Sequence, residues 1–279
     1  MHKRLFRKIH DSEFAMPQGR TAMDLLPPLM QGLGDVDFEL RDTLCLEILW
    51  TWIESGNYTP DQLREIARQL MANLLEGLGA IEDDHVFLRT YSVLVLGAIV
   101  TYDARLRFLE PAELREILNA SLRYLADEQD LRGYVPGKGW AHSPAHTANL
   151  MGALAHHPAM AADDLELILT GILQKVIAPT TYPYLDNEDG RLGRAVLAIL
   201  RRELLPLNRV TACLEALGGS EPRHTMFVPG RDHASHHNAR CFLAYLHLLL
   251  DHPDLPAQAK KELPNVVYKV MKSFTPWGL

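Results

Sequence analysis

From Phe38 onward the apolar residues Leu40, Leu44, Ile48, Leu49 and Trp52 recur every three to four positions until Ser55-Gly56-Asn57 interrupts them. That period predicts one amphipathic helix. Thr59-Pro60-Asp61-Gln62 then supplies a cap residue, a proline suited to the first helical position and a glutamine at capping-box spacing. Leu63, Ile66, Leu70, Leu74 and Leu75 follow, predicting a second helix that ends near Glu76. The stretch from about Asp83 to Ile99 is apolar on most sides, which predicts a helix enclosed by neighbours. Pro111 opens another, carrying Leu114, Ile117, Leu118, Leu122 and Leu125. Six more are predicted over 143–156, 163–177, 188–204, 206–217, 233–250 and 256–273, with Pro264 kinking or splitting the last. Pro27-Pro28 should break the apolar run 21–33 into a short piece. Strand-like alternation is nearly absent, so the pattern as a whole predicts an all-α chain of stacked helical hairpins, a HEAT-like alpha-alpha superhelix.

One internal similarity supports a repeat. Residues 142–158 align without gaps against 237–253, matching His142 with His237, Leu154 with Leu249 and His157-Pro158 with His252-Pro253. Each copy leads into a Lys-Val pair, Lys175-Val176 and Lys269-Val270. Spaced copies of one helical unit are what a solenoid is built from. The expected organisation is a basic N-terminal tail over 1–20, mobile or docking, followed by a single helical-repeat domain over 21–279.

Composition narrows the classes. With 279 residues, 47% hydrophobic and 23% charged, the chain can bury a large core and has neither a disordered nor a membrane composition. A net charge of −7 argues against tracking a phosphate backbone, so no nucleic-acid partner is expected. The longest strongly apolar run, 93–100, is too short for a bilayer, and the basic first ten residues lack a signal-peptide core, so no membrane partner and no export are expected. Cys45, Cys213 and Cys241 are odd in number and far apart, as expected of buried thiols in a reducing, cytoplasmic compartment.

Chemistry concentrates in residues 128–150, which hold three glycines, two prolines, two aromatics and two histidines four apart between helical runs. If a helix already includes Trp140, His142 and His146 share one face at the spacing a pair of metal ligands requires. A third ligand would have to come from Asp130, Glu188 or Asp189. Against a metal, Ser143-Pro144 reads as an N-cap and first-position pair, placing His146 in a first turn whose free N–H groups and dipole repel cations. Anions are favoured there instead. Arg132 and Lys138 add positive charge, and Gly133, Gly137 and Gly139 let backbone amides approach a ligand, so the stretch reads as an anion pocket. The competing structural account is a long inter-repeat loop whose glycines make turns and whose Trp140 covers a helix end.

Three further places carry charge. Glu188 and Asp189, with Arg191 behind them, read first as caps of a helix and second as groups facing the central loop. Asp232 or Ser235 would cap a helix beside the clustered His233, His236 and His237. Arg89, in an apolar helix, needs a partner if buried, and an ion pair with a carboxylate such as Asp130 is expected. No P-loop, Rossmann glycine fingerprint, G-x-S-x-G or papain-like cysteine setting occurs.

The runs 84–96, Asp130-Leu-Arg-Gly-Tyr-Val-Pro-Gly-Lys-Gly-Trp-Ala-His-Ser-Pro-Ala-His-Thr-Ala-Asn-Leu150 and Glu188-Asp-Gly-Arg-Leu192 resemble a bacterial family catalogued as domain of unknown function 2785. The resemblance spans roughly 35–205, leaving 206–279 as C-terminal helices. It implies a bacterial, cytoplasmic, all-helical protein and no particular activity. The family pattern usually carries aspartate where this chain has Asn149, and no Ser143-Pro144 pair, which weakens a metal site further. Two functions are therefore carried forward. In the first, a binding or scaffold protein with no cofactor uses Arg132, Lys138, Trp140, His142 and His146 to hold a small anionic molecule or a protein partner's carboxylate. In the alternative, a metal-dependent hydrolase uses His142 and His146 with Glu188 or Asp189.

Overall fold

The structure is a computed structural model that describes residues 2–219 and 231–274, the side chains of residues 231 and 232 excepted. The described residues form twelve α-helices, one π-helical segment and one two-stranded ribbon, an all-α fold of stacked helices. They divide into two compact units, Met1–Leu150 and Met151–Leu279.

The first unit holds α1 (His2–Asp11), α2 (Ala22–Gly32), the π-helical segment Glu39–Leu46 running directly into α3 (Glu47–Glu54), α4 (Pro60–Asn73), α5 (His85–Leu106), α6 (Pro111–Asp127), β1 (Tyr134–Val135), β2 (Gly139–Trp140) and the start of α7 (Ser143–His156). Residues expected as a tail form α1, because Phe6 and Ile9 fall on one face and are buried while Lys3 and Arg7 fall on the other. Lys3 pairs with Asp37 and Glu39, and Arg7 holds Glu39 through Nε at 2.5 Å and Nη2 at 2.6 Å. α2 corrects the expectation of a broken helix. Pro27 and Pro28 lie inside it and each removes one backbone hydrogen bond. The helix persists because Thr21 and Asp24 close a capping box at its start and Leu25, Leu29 and Met30 are buried along its length.

The capping box of Thr59 and Gln62 opens α4 as the sequence predicts, with Gln62 Oε1 accepting from Thr59 N at 2.8 Å. α5 is the one helix among the described residues long and apolar enough to cross a membrane, but 78% of that apolar window is buried inside the protein. It is the core helix of the unit, packed by α3, the π-segment, α4 and α6. Helices two apart in sequence also stack, α3 on α5 and α4 on α6.

The second unit continues α7 and adds α8 (Ala162–Ile177), α9 (Glu188–Arg201), α10 (Leu207–Gly218), α11 (Arg231–Leu249) and α12 (Ala257–Ser273). Here α8, α10 and α12 stack in succession, as do α9 and α11. Pro264 lies within α12 without splitting it. The aligned copies differ in setting: His142 immediately precedes α7, whereas His237 sits inside α11, which begins six residues earlier at Arg231. Asp232, one of the two caps considered for α11, has its side chain outside the described residues, and Ser235 lies within the helix, buried.

Candidate functional site

The turn-rich stretch after α6 folds back as an antiparallel ribbon in which Tyr134 pairs with Trp140 and Val135 with Gly139. Sequence periodicity missed it because each strand is two residues long. Val135-Pro136-Gly137-Lys138 makes the turn: Lys138 N donates to Val135 O at 3.0 Å, with Gly137 at φ 78°. A Pro-Gly pair centred on a left-handed second residue is the sequence chemistry of a type II turn. Gly139, at φ 81°, has no room for a side chain, since an added Cβ would lie 2.8 Å from Phe38 Cβ and 3.2 Å from Arg41 Nη2. Val135 closes onto a small apolar cluster of Val86, Phe87 and Ala141, which seats the ribbon over the start of α5.

The helix boundary differs from the expected one. α7 begins at Ser143, so the residue in the cap position is His142, held at φ 54° with its N donating to Arg132 O at 2.8 Å and its O accepting from His146 N at 3.0 Å. Ser143 is not the cap: its hydroxyl donates to Asp130 O at 2.6 Å. Trp140 belongs to β2 rather than to a helix, yet its ring stacks on His142 with centroids 4.8 Å apart, and the two imidazoles meet edge to face at 5.5 Å. His146 continues inward, hydrogen-bonded to Thr90 Oγ1 at 3.0 Å and edge to face against Tyr91 at 5.4 Å. At the outer end Tyr134 meets Trp140 at 5.2 Å. The five rings thus form one row, from Tyr134 and Trp140, 55% and 36% exposed, to Tyr91 at 1%.

The cations expected to greet an anion are paired. Arg132 holds Asp130 through Nε at 2.8 Å and Nη2 at 2.6 Å, and Lys138 Nζ lies 2.7 Å from both oxygens of Asp84. The expected Arg89–Asp130 ion pair does not form. Arg89 binds Glu128 instead, Nε to Oε2 at 2.6 Å and Nη2 to Oε1 at 3.0 Å, and donates to Glu76 O at 2.7 Å. Glu128 ends α6 directly beside α5, whereas Asp130 is two residues on, where Arg132 reaches it first. Burial alone would lower the Arg89 pKa, and the Glu128 hydrogen bond and charge more than offset it, leaving it raised. Gly133 contributes its carbonyl to Ala141 N at 3.0 Å, and Asn149 is exposed on α7.

The second unit holds the remaining candidates. Glu188 is buried and accepts from Asp186 N at 2.8 Å, while Asp189 accepts from Gly190 N at 2.8 Å. Both lie in the first turn of α9, whose cap residue is Asn187. Arg191 is half-buried, and burial followed by the neighbouring charge of Arg194 pushes its pKa down. Among the described residues no three His, Cys, Asp or Glu side chains gather where they could hold a metal. The described residues therefore give the hydrolase alternative no donor set beyond its two histidines.

Arg41 was not singled out from the sequence. It lies on the π-helical segment, fully buried, with its guanidinium 4.0 Å from the Phe87 ring centre and 4.8 Å from that of Tyr91. Nη1 donates to Asp35 O and Nη2 to Lys138 O, each at 2.5 Å, and Nε has no hydrogen-bond partner among the described residues. No carboxylate pairs with it among them. Burial, then the charge of Asp42, raises the Tyr91 pKa, and Arg41 opposes this. A signal was available: Arg41, Leu44, Cys45, Ile48, Leu49 and Trp52 form a continuous three-to-four stripe, so position 41 lies on the buried face.

Searches of curated proteins and of solved structures gave no match. The sequence profile of a family described as "Protein of unknown function (DUF2785)" matches residues 74–273, further toward the C-terminus than the motif resemblance suggested and more than half of the chain. The chain belongs to that family.

Proposed function

We propose that the protein is a binding or scaffold protein, and that the ribbon end of its first unit takes a small molecule, or a partner's side chain, bearing a carboxylate or phosphate. The observation that carries this reading is the ring row: a half-exposed indole stacked on a buried imidazole, joined through a second imidazole to the core. Trp140 offers a flat apolar face at low entropic cost, and two nearly buried imidazoles provide nitrogen donors or acceptors beneath it. Arg132 and Lys138 shape the rim through their ion pairs with Asp130 and Asp84. We also propose a HEAT-like arrangement within each unit, supported by the stacking of helices two apart, and a cytoplasmic setting, supported by three free cysteines.

Thermal unfolding with a panel of phosphates and carboxylates at constant ionic strength tests the binding role. A stabilising ligand raises the midpoint with concentration, and the rise should vanish in Trp140→Ala and His142→Ala. No rise from any anion with the unmodified chain would overturn the reading.

A further inference from the structure

Three guanidinium groups in the first unit bind carboxylates in the same way. Arg7, Arg89 and Arg132 each use the edge formed by Nε and Nη2, to Glu39, Glu128 and Asp130 respectively. This edge presents two parallel N–H groups that match the two oxygens of a carboxylate or phosphate. Arg41 presents the same edge; among the described residues Nε has no hydrogen-bond partner and Nη2 donates to Lys138 O, with the Tyr91 side chain also beside the guanidinium. We propose that this edge of Arg41 is an oxyanion site covered by the ribbon, with the Lys138 carbonyl occupying the place of one ligand oxygen. The inference rests on the binding reading above and supplies the counter-charge that the paired Arg132 and Lys138 do not.

The cover is built to be exchanged. Carbonyl dipoles and the faces of Phe87 and Tyr91 offset a guanidinium charge only in part, and an oxyanion accepting from Nε would add a full negative charge to that compensation. The ribbon is two residues long on each side, a length with little stability of its own. Its tip is fastened to α5 through Lys138 and Asp84, whose side chains are 38% and 43% exposed. A pair this exposed holds an equilibrium by no more than about five-fold. Phe38, 54% exposed beside Gly139, lies at the same edge, so Gly139 and the Lys138 carbonyl are what cover Arg41 on that side. An entering oxyanion takes Nη2 from Lys138 O and fills Nε, leaving Nη1 on Asp35 O.

Titration of the full chain with inorganic phosphate and with acetate, in a chloride background of fixed ionic strength, tests this. Asp84→Asn releases the ribbon tip from outside the site and should tighten the apparent Kd by about two- to five-fold, because the closed population falls. Arg41→Met should weaken binding at least about ten-fold. The phosphate and acetate arms report which oxyanion fits. If Arg41→Met binds as well as the unmodified chain while Trp140→Ala does not, the binding reading stands and the Arg41 site is wrong. If neither anion binds the unmodified chain, both fall. Should Arg41→Met fail to fold, Asp84→Asn decides: unchanged or weaker affinity overturns the proposal.

Discussion

Replacing Glu128 by leucine should be among the most damaging single changes in the first unit. Arg89 and Glu128 have side chains 0% and 2% exposed, and the carboxylate accepts from Arg89 twice and from Asp130 N at 3.0 Å. Its removal strands a buried guanidinium, at a cost of about 3–5 kcal/mol. The lost acceptor of Asp130 N adds about 1 kcal/mol. At about 2–4 °C per kcal/mol for a unit of this size, the melting midpoint should drop by roughly 8–24 °C. The double variant Arg89→Met/Glu128→Leu removes both charges and should recover to within about 2 kcal/mol of the original, since an apolar pair can replace a buried ion pair. Urea unfolding followed by circular dichroism across the four proteins of the cycle measures the coupling directly. A loss under about 1 kcal/mol in Glu128→Leu, or a double variant no more stable than that single one, would refute the reasoning.

Other outcomes follow from the same geometry. Arg7 first and Lys3 second hold the Glu39 carboxyl down from 4.5 to about 2. Its folded pKa is depressed, so its help in docking α1 is complete above 4.5 and is lost as pH falls toward 2; Glu39→Gln should flatten that limb of an acid titration followed by the α1 amide signals. Burial pushes the Cys45 thiol up to about 12, whereas Cys213 and Cys241 are only half-buried, which corrects the expectation that all three are buried. A thiol reagent at pH 8 should therefore label two cysteines in the folded protein and three in urea, and mass spectrometry of the labelled peptides would show whether Cys45 is the protected one. Gly32→Ala would drive a Cβ into Cys45 Sγ where α2 meets the π-segment, and should cost about 1–3 kcal/mol; a neutral result in thermal unfolding would mean the two helices can separate there.

Much of the helical framework was legible because each element carried its own local signal. The Thr59/Gln62 capping box was readable at the level of single residues, and α5 announced its enclosed position by being apolar all round. What failed were judgements that depend on tertiary support. Pro27 and Pro28 break an isolated helix, but three buried side chains and a closed capping box hold α2 together around them. A basic N-terminus looks like a tail until Asp37 and Glu39, some thirty residues away in sequence, supply its partners.

At the site the same division recurs. Composition pointed to the stretch where Trp140, His142 and His146 meet, because turn chemistry and aromatic residues are visible locally. It misassigned the charges, because pairing is a matter of reach. Arg132 bends back two residues to Asp130, Arg89 crosses from α5 to the end of α6, and Lys138 reaches Asp84 only because a two-residue ribbon turns its tip toward α5. Once those three cations are spoken for, the buried guanidinium without an ion-pair partner among the described residues is Arg41, which donates to two carbonyls and lies against Phe87 and Tyr91. Carbonyls and rings contribute partial charges, and the orphaned Nε marks where compensation stops short. The proposed oxyanion site therefore turns on Arg41 beneath the ribbon, whose charge no ion pair among the described residues offsets, whereas Arg132 and Lys138 already hold Asp130 and Asp84.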